Sequence, residues 1–169
     1  MTTLRLKPKR GGFLLSFDCG WFIREFLLGN GLHGSQVIDP EVGAPQAEIF
    51  YHYKNVLHQE TAMGRATRAE EKRARHKKRS IDRYQIEQLY QRCLSRIPYK
   101  ANGCRYHSFI TYFSTLRRLG WVEPTGQEEL SAFQEHYAAG QPRRYYRLTK
   151  AGLNALDGAL LNLHLTLYG

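Results

Sequence analysis

Seven histidines, three cysteines and fifteen carboxylates are the side chains in this sequence with the chemistry to cleave or transfer a group. Their spacing assembles no complete catalytic or metal site. Cys104 and His107 have a two-ligand spacing, but no second pair completes a tetrahedral zinc shell. Asp18 with Cys19, or Glu48 with His52, are pairs that many helices supply by chance. Glu128, Glu129 and Glu135 are a carboxylate group of the kind a metal-dependent nuclease uses, and this is the weakest of the readings. Phosphate-binding glycine loops of the P-loop or dinucleotide type are absent. The expectation is a non-catalytic protein with no cofactor and no metal.

The chemistry that the residues do suggest is recognition. Along 106–119, Phe109, Tyr112, Phe113 and Leu116 recur at helical spacing, and Leu119 closes the stripe before Gly120 ends the helix. The opposite face carries His107, Ser108, Thr111, Ser114, Thr115 and Arg118: short hydrogen-bonding side chains and a cation, with no carboxylate. Such a face suits the major groove of DNA, where hydroxyl and imidazole groups meet base edges. His107, Ser108 and Thr111 are the expected base readers. Arg105, Arg118 and Lys100 are expected on phosphates, which set register. Downstream, Arg143-Arg144-Tyr145-Tyr146-Arg147-Leu148 alternates as a strand rich in arginine, and Arg143, Arg144 and Arg147 are expected to contact DNA as the strand of a wing would. One of its two tyrosines should enter the core. The competing reading is a solvent-facing hairpin with arginines stacked over tyrosine.

Two strings in this region, Leu116-Arg117-Arg118-Leu119-Gly120-Trp121-Val122-Glu123 and Arg143-Arg144-Tyr145-Tyr146-Arg147-Leu148-Thr149-Lys150-Ala151-Gly152, carry a resemblance. They resemble the C-terminal part of winged helix-turn-helix domains of the PadR and MarR types of bacterial regulator. The resemblance implies a recognition helix over 106–119, a wing closing at 143–148, and a helix after the wing that often forms the dimer interface. Between the strands, 124–142 is longer than a simple wing. Leu130, Phe133 and Tyr137 lie at helical spacing there, so an inserted helix over 127–138 is expected.

These segments need a frame. The chain has 169 residues, 42% of them hydrophobic with 11 Tyr and 8 Phe, enough for a packed core. Its net charge of +10 points to a polyanionic partner: DNA first, RNA as the other possibility. Three cysteines without a Cys-x-x-Cys pair suit a reducing compartment, and the expected location is cytoplasmic and nucleoid-associated. No apolar run reaches the length of a membrane span. A basic arm occupies 1–12. Helices are expected over 18–28, with Trp21, Phe22 and Phe26 packing, and over 45–63, with Pro45 as first residue.

Between 65 and 79, eight Lys and Arg face Glu70 and Glu71, more than half the net charge in one run. Lys72, Arg73, Arg75, Lys77, Lys78 and Arg79 are expected to make non-specific phosphate contacts. The run reads either as a solvated helical rod or as a linker. Ser80 is placed to cap a helix to about residue 97, with Ile81, Tyr84, Ile86, Leu89, Tyr90, Cys93 and Leu94 as its apolar face. The last segment, 150–168, is rich in leucine. Either it folds against Trp21, Phe22 and Phe26, or it pairs with a second copy; a homodimer through this helix is the favoured reading.

The expected architecture is mainly α: a winged helix-turn-helix with a small β-hairpin wing and additional N-terminal helices. Its parts are a helical region over 1–64, a basic helix or linker over 65–80, and the winged-helix domain over 81–169. The function this implies is a sequence-reading DNA-binding protein, a transcriptional regulator. The alternative is a nucleic-acid-binding subunit of a larger replication, mobile-element or phage-defence complex.

Overall fold

The computed structural model describes residues 18–31, 37–98, 106–129, 142–155 and 159–160. In chain order the elements are α1 (Asp18–Leu27), β1 (Ala44–Pro45), α2 (Gln46–His76), α3 (Arg83–Arg96), α4 (Tyr106–Arg118), β2 (Val122–Glu129), β3 (Arg143–Leu148) and α5 (Lys150–Leu153). The protein is mainly helical, and among the described residues it has one three-stranded antiparallel sheet of order β1-β3-β2. No helix among the described residues is long and apolar enough to cross a membrane.

The chain divides into two compact units, and neither is continuous in sequence. One holds 17–53 and 105–169; the other holds 1–16 and 54–104. The first turns of α2 group with α4, to which Tyr53 is joined through Phe109.

The unit that holds α4 is built on an aromatic spine. Phe22 of α1 lies 5.1 Å from Tyr53 of α2, Tyr53 6.2 Å from Phe109 of α4, and Phe109 6.0 Å from Phe113. Phe113 meets Tyr146 of β3 edge-on at 5.0 Å. Four elements that are distant in sequence are thus tied by rings that are fully or almost fully buried. Each such pair adds roughly 0.5–1.5 kcal/mol beyond its area. Arg24 of α1 is also buried, and its guanidinium donates to the carbonyl of Ala155 at 2.8 Å.

Pro45 does not open α2. It sits in β1 opposite Tyr145, and the helix begins one residue later, at Gln46. A two-residue edge strand tolerates the missing N–H of proline. Gly43, just before it, has φ +72°, and its Cα faces the backbone of Tyr146 so closely that a Cβ there would fall 1.9 Å from the carbonyl oxygen.

α4 ends as its sequence suggests. The N–H of Gly120 (φ +73°) donates to Arg117 O at 3.0 Å, and that of Trp121 to Leu116 O at 3.0 Å, the paired bonds of a Schellman motif. The chain then enters β2, which runs to Glu129. The helix expected from residue 127 is therefore corrected: Glu128 and Glu129 pair across the sheet with Arg144 and Arg143, and opposite charges in register favour the strand. Leu130, Phe133 and Tyr137 lie outside the described residues. Thr149 caps α5, its hydroxyl accepting from Gly152 N at 3.1 Å. α5 stops at Leu153, so no single helix spans 150–168. Leu160 is buried, and 161–169 lie outside the described residues.

In the other unit the basic run is helical. α2 continues through it to His76, with Ala62, Ala66 and Ala74 buried. Lys78 then takes a left-handed conformation (φ 52°) that turns the chain, with Arg79 N bonded to Ala74 O at 3.0 Å. The buried carboxylate of Glu70 receives both terminal nitrogens of Arg79, at 2.6 and 3.3 Å. The hydrogen bond from Arg79 holds the Glu70 carboxyl below its usual range, against the cost of burial. Asp82, rather than Ser80, caps α3, accepting from Tyr84 N at 2.9 Å. α3 buries none of its residues fully: of the apolar face expected of it, Ile86, Leu89, Tyr90, Cys93 and Leu94 are partly buried, and Ile81 and Tyr84 are exposed. The helix belongs to this unit.

Candidate nucleic-acid interface

α4 is anchored on one side only. Phe109, Phe113 and Leu116 are buried, and Phe50 of α2 packs 5.2 Å from Phe109 and 5.0 Å from Tyr106. On the other side His107, Thr111, Ser114, Arg117 and Arg118 are exposed, and Ser108 and Thr115 are half-exposed. No acidic residue occurs anywhere in the helix. Arg105 and Lys100 lie outside the described residues.

The two threonines have a defined donor state. Thr111 Oγ1 donates to His107 O at 3.1 Å, and Thr115 Oγ1 to Thr111 O at 2.9 Å. With each hydroxyl hydrogen held by the helix backbone, the outward oxygen lone pairs are left as acceptors. An acceptor of this kind matches the exocyclic amino group of adenine or cytosine, while the threonine methyl matches that of thymine. Ile110, 38% exposed on the same helix, adds apolar surface that the polar stripe did not reveal.

Arg117 is a second addition. Its guanidinium stands 5.1 Å over the ring of Tyr146, which fixes a cation against the sheet. Ser114, Arg117 and Arg118 line an open groove of about 480 Å³ together with Val122, Glu123 and Pro124 of β2. The helical spacing carried the signal for Arg117. Its stacking on Tyr146 depends on a contact that no local pattern announces.

The arginines of β3 are in a different situation. Arg147 Nε lies 3.1 Å from Glu123, Arg144 Nε 3.5 Å from Glu128, and Arg143 3.8 Å from Glu48 and 4.0 Å from Glu129. Each has a carboxylate beside it. Tyr145 donates to Glu129 at 2.5 Å, and that bond, with some burial, pushes its hydroxyl pKa up to about 12. Tyr146 is the tyrosine that enters the core. It is stacked by Arg117, not by an arginine of its own strand.

The discontinuous division separates charge as well. The unit with α4 contains eight Lys and Arg against ten Asp and Glu; the other contains seventeen against five. The first is therefore −2 and the second +12; in the second, Lys72, Arg73, Arg75, Lys77 and Lys78 are exposed along the end of α2 and its turn, and Arg79 is engaged by Glu70.

Among the described residues no three His, Cys, Asp or Glu side chains converge on a point that could hold a metal. Cys104 and Glu135 lie outside those residues. Glu128 and Glu129 face arginines. No family model, characterised protein or solved structure matches the chain.

Proposed function

We propose that this protein binds DNA through α4 and reads sequence there, as a non-catalytic transcriptional regulator. The observation that carries the reading is a helix anchored by buried rings whose outward face offers His107, Thr111, Ser114, Arg117 and Arg118 without one carboxylate. The order α1, β1, α2, α4, β2, β3 with the sheet β1-β3-β2 supports reading this unit as a winged helix, with the first turns of α2 as the helix that precedes recognition helix α4. Ser108 and Thr115 flank the proposed contact. The phosphate attraction comes from the basic end of α2 rather than from Arg143, Arg144 and Arg147, whose charge is balanced in place. Pairing of two copies through the leucine-rich C-terminus would set two such helices on two half-sites.

One observation favours a second reading, a subunit of a larger nucleoprotein complex. The unit with α4 has no excess of positive charge, so its hold on a polyanion depends on the other unit or on a partner. Selection from random oligonucleotide duplexes with the purified chain separates the two. A regulator enriches one short motif with two half-sites. Enrichment of nothing, with binding that depends only on salt, refutes sequence reading.

A further inference from the structure

We infer that the turn between α2 and α3 is a second nucleic-acid site, selective for unpaired strands. Arg73, Lys77, Arg79 and Arg83 line an open groove of about 680 Å³ there, with Ile81 and Gln85. Arg79 is held by Glu70. Arg73, Lys77 and Arg83 form no ion pair among the described residues. Asp82, also at the groove, is occupied in capping α3. The groove is thus cationic, open and wide enough for a backbone phosphate and its sugar.

Charge alone would suit any polyanion. What narrows the class is apolar surface in the groove and on the residue that follows Arg83. Ile81 lines the groove and is 52% exposed, and Tyr84, next to Arg83 on the first turn of α3, is 66% exposed. Tyr84 directly follows the groove-lining Arg83, and an exposure of this size is unexplained by packing. In a duplex the base faces are already stacked on one another; in a single strand they are free to stack on an aromatic ring while the phosphates meet cations. The site is rigid enough to discriminate: the bidentate Glu70–Arg79 pair, the left-handed Lys78 and the Asp82 cap fix the turn that presents these groups.

This inference rests on the proposed function for its premise that the partner is nucleic acid and shares Arg73 and Lys77 with the phosphate contacts of that reading, but it uses none of the residues of α4. The test is fluorescence anisotropy with the full chain, a labelled oligothymidine of about 15 nucleotides and a duplex of equal length. Tyr84→Ala should weaken binding of the single strand by about five- to 150-fold, the loss of one base–aromatic stack, and leave duplex binding within twofold. Tyr84→Phe should restore it. Lys77→Gln with Arg83→Gln should lower the salt slope for the single strand by about 1.4. Thr111→Ala, in α4, should leave single-strand binding unchanged, which separates failure of this site from failure of α4. Equal effects of Tyr84→Ala on single strand and duplex, or no effect on either, would overturn the inference. So would displacement of the oligothymidine by polyglutamate at equal charge, which would mark the groove as a site for acidic peptide.

Discussion

Replacing Gly43 by alanine tests how β1 holds the sheet against α4. A Cβ at this position would lie 1.9 Å from the carbonyl oxygen of Tyr146 and 2.7 Å from its carbonyl carbon, at φ +72°. The left-handed backbone costs an L-residue roughly 1–2 kcal/mol. Forcing β1 from β3 adds an overpacking cost of roughly 1–3 kcal/mol, so the total is about 2–5 kcal/mol. Gly120 supplies the control within the same unit: its φ is +73°, but a Cβ there would meet nothing within 4 Å. Gly120→Ala should therefore cost only the backbone share, roughly 1–2 kcal/mol. Urea unfolding followed by tryptophan fluorescence reads the right unit, because Trp21 and Trp121 both belong to it. Gly43→Ala should lower the midpoint further than Gly120→Ala, at unchanged slope. Equal midpoints for the two variants would refute the close approach of β1 to Tyr146, and with it the account of how α4 is backed.

Other outcomes follow from the same geometry. Phe109→Ala removes the ring that joins α2 to α4 and should cost about 3–5 kcal/mol in the same unfolding assay. Thr149→Ala removes the cap of α5 and should cost about 0.5–2 kcal/mol. His52 stacks on Phe26 at 5.1 Å, and burial holds its pKa below the ordinary 6.5, although Glu48 opposes this. The folded chain then binds that proton less readily than the unfolded one. The stability due to His52 is complete above pH 6.5 and falls as the pH drops through 6.5 toward the folded value. His52→Gln should flatten that part of the pH profile in the unfolding assay.

Much of the fold was legible where signals are local. The ends of α1 and α4, the strand 143–148 and the Thr149 cap were each announced by periodicity and a punctuating residue. What was not legible depends on distant partners. Pro45 reads as a helix start until Tyr145 pairs with it. The stretch 127–129 reads as helix until Glu128 and Glu129 find Arg144 and Arg143. The apolar stripe of α3 has the pattern of a core helix, yet no residue of it is fully buried. The candidate site shows the same limit. The polar face of α4 is written in its spacing. The neutralised arginines of β3, and the assignment of the net charge to one unit, follow only from contacts across the sheet and from a division that joins 17–53 to 105–169.

The central claim is that α4 reads bases and the basic end of α2 holds backbone. Affinity measured across single-base variants of a selected site, for Thr111→Val and Lys77→Gln, tests it most directly. Thr111→Val keeps the methyl and removes the acceptor; it should change the preference at one base pair by about 1–3 kcal/mol and leave the others alone. Lys77→Gln should weaken every sequence alike and lower the salt slope by about 0.9. Uniform weakening by Thr111→Val, with no position singled out, would contradict the account.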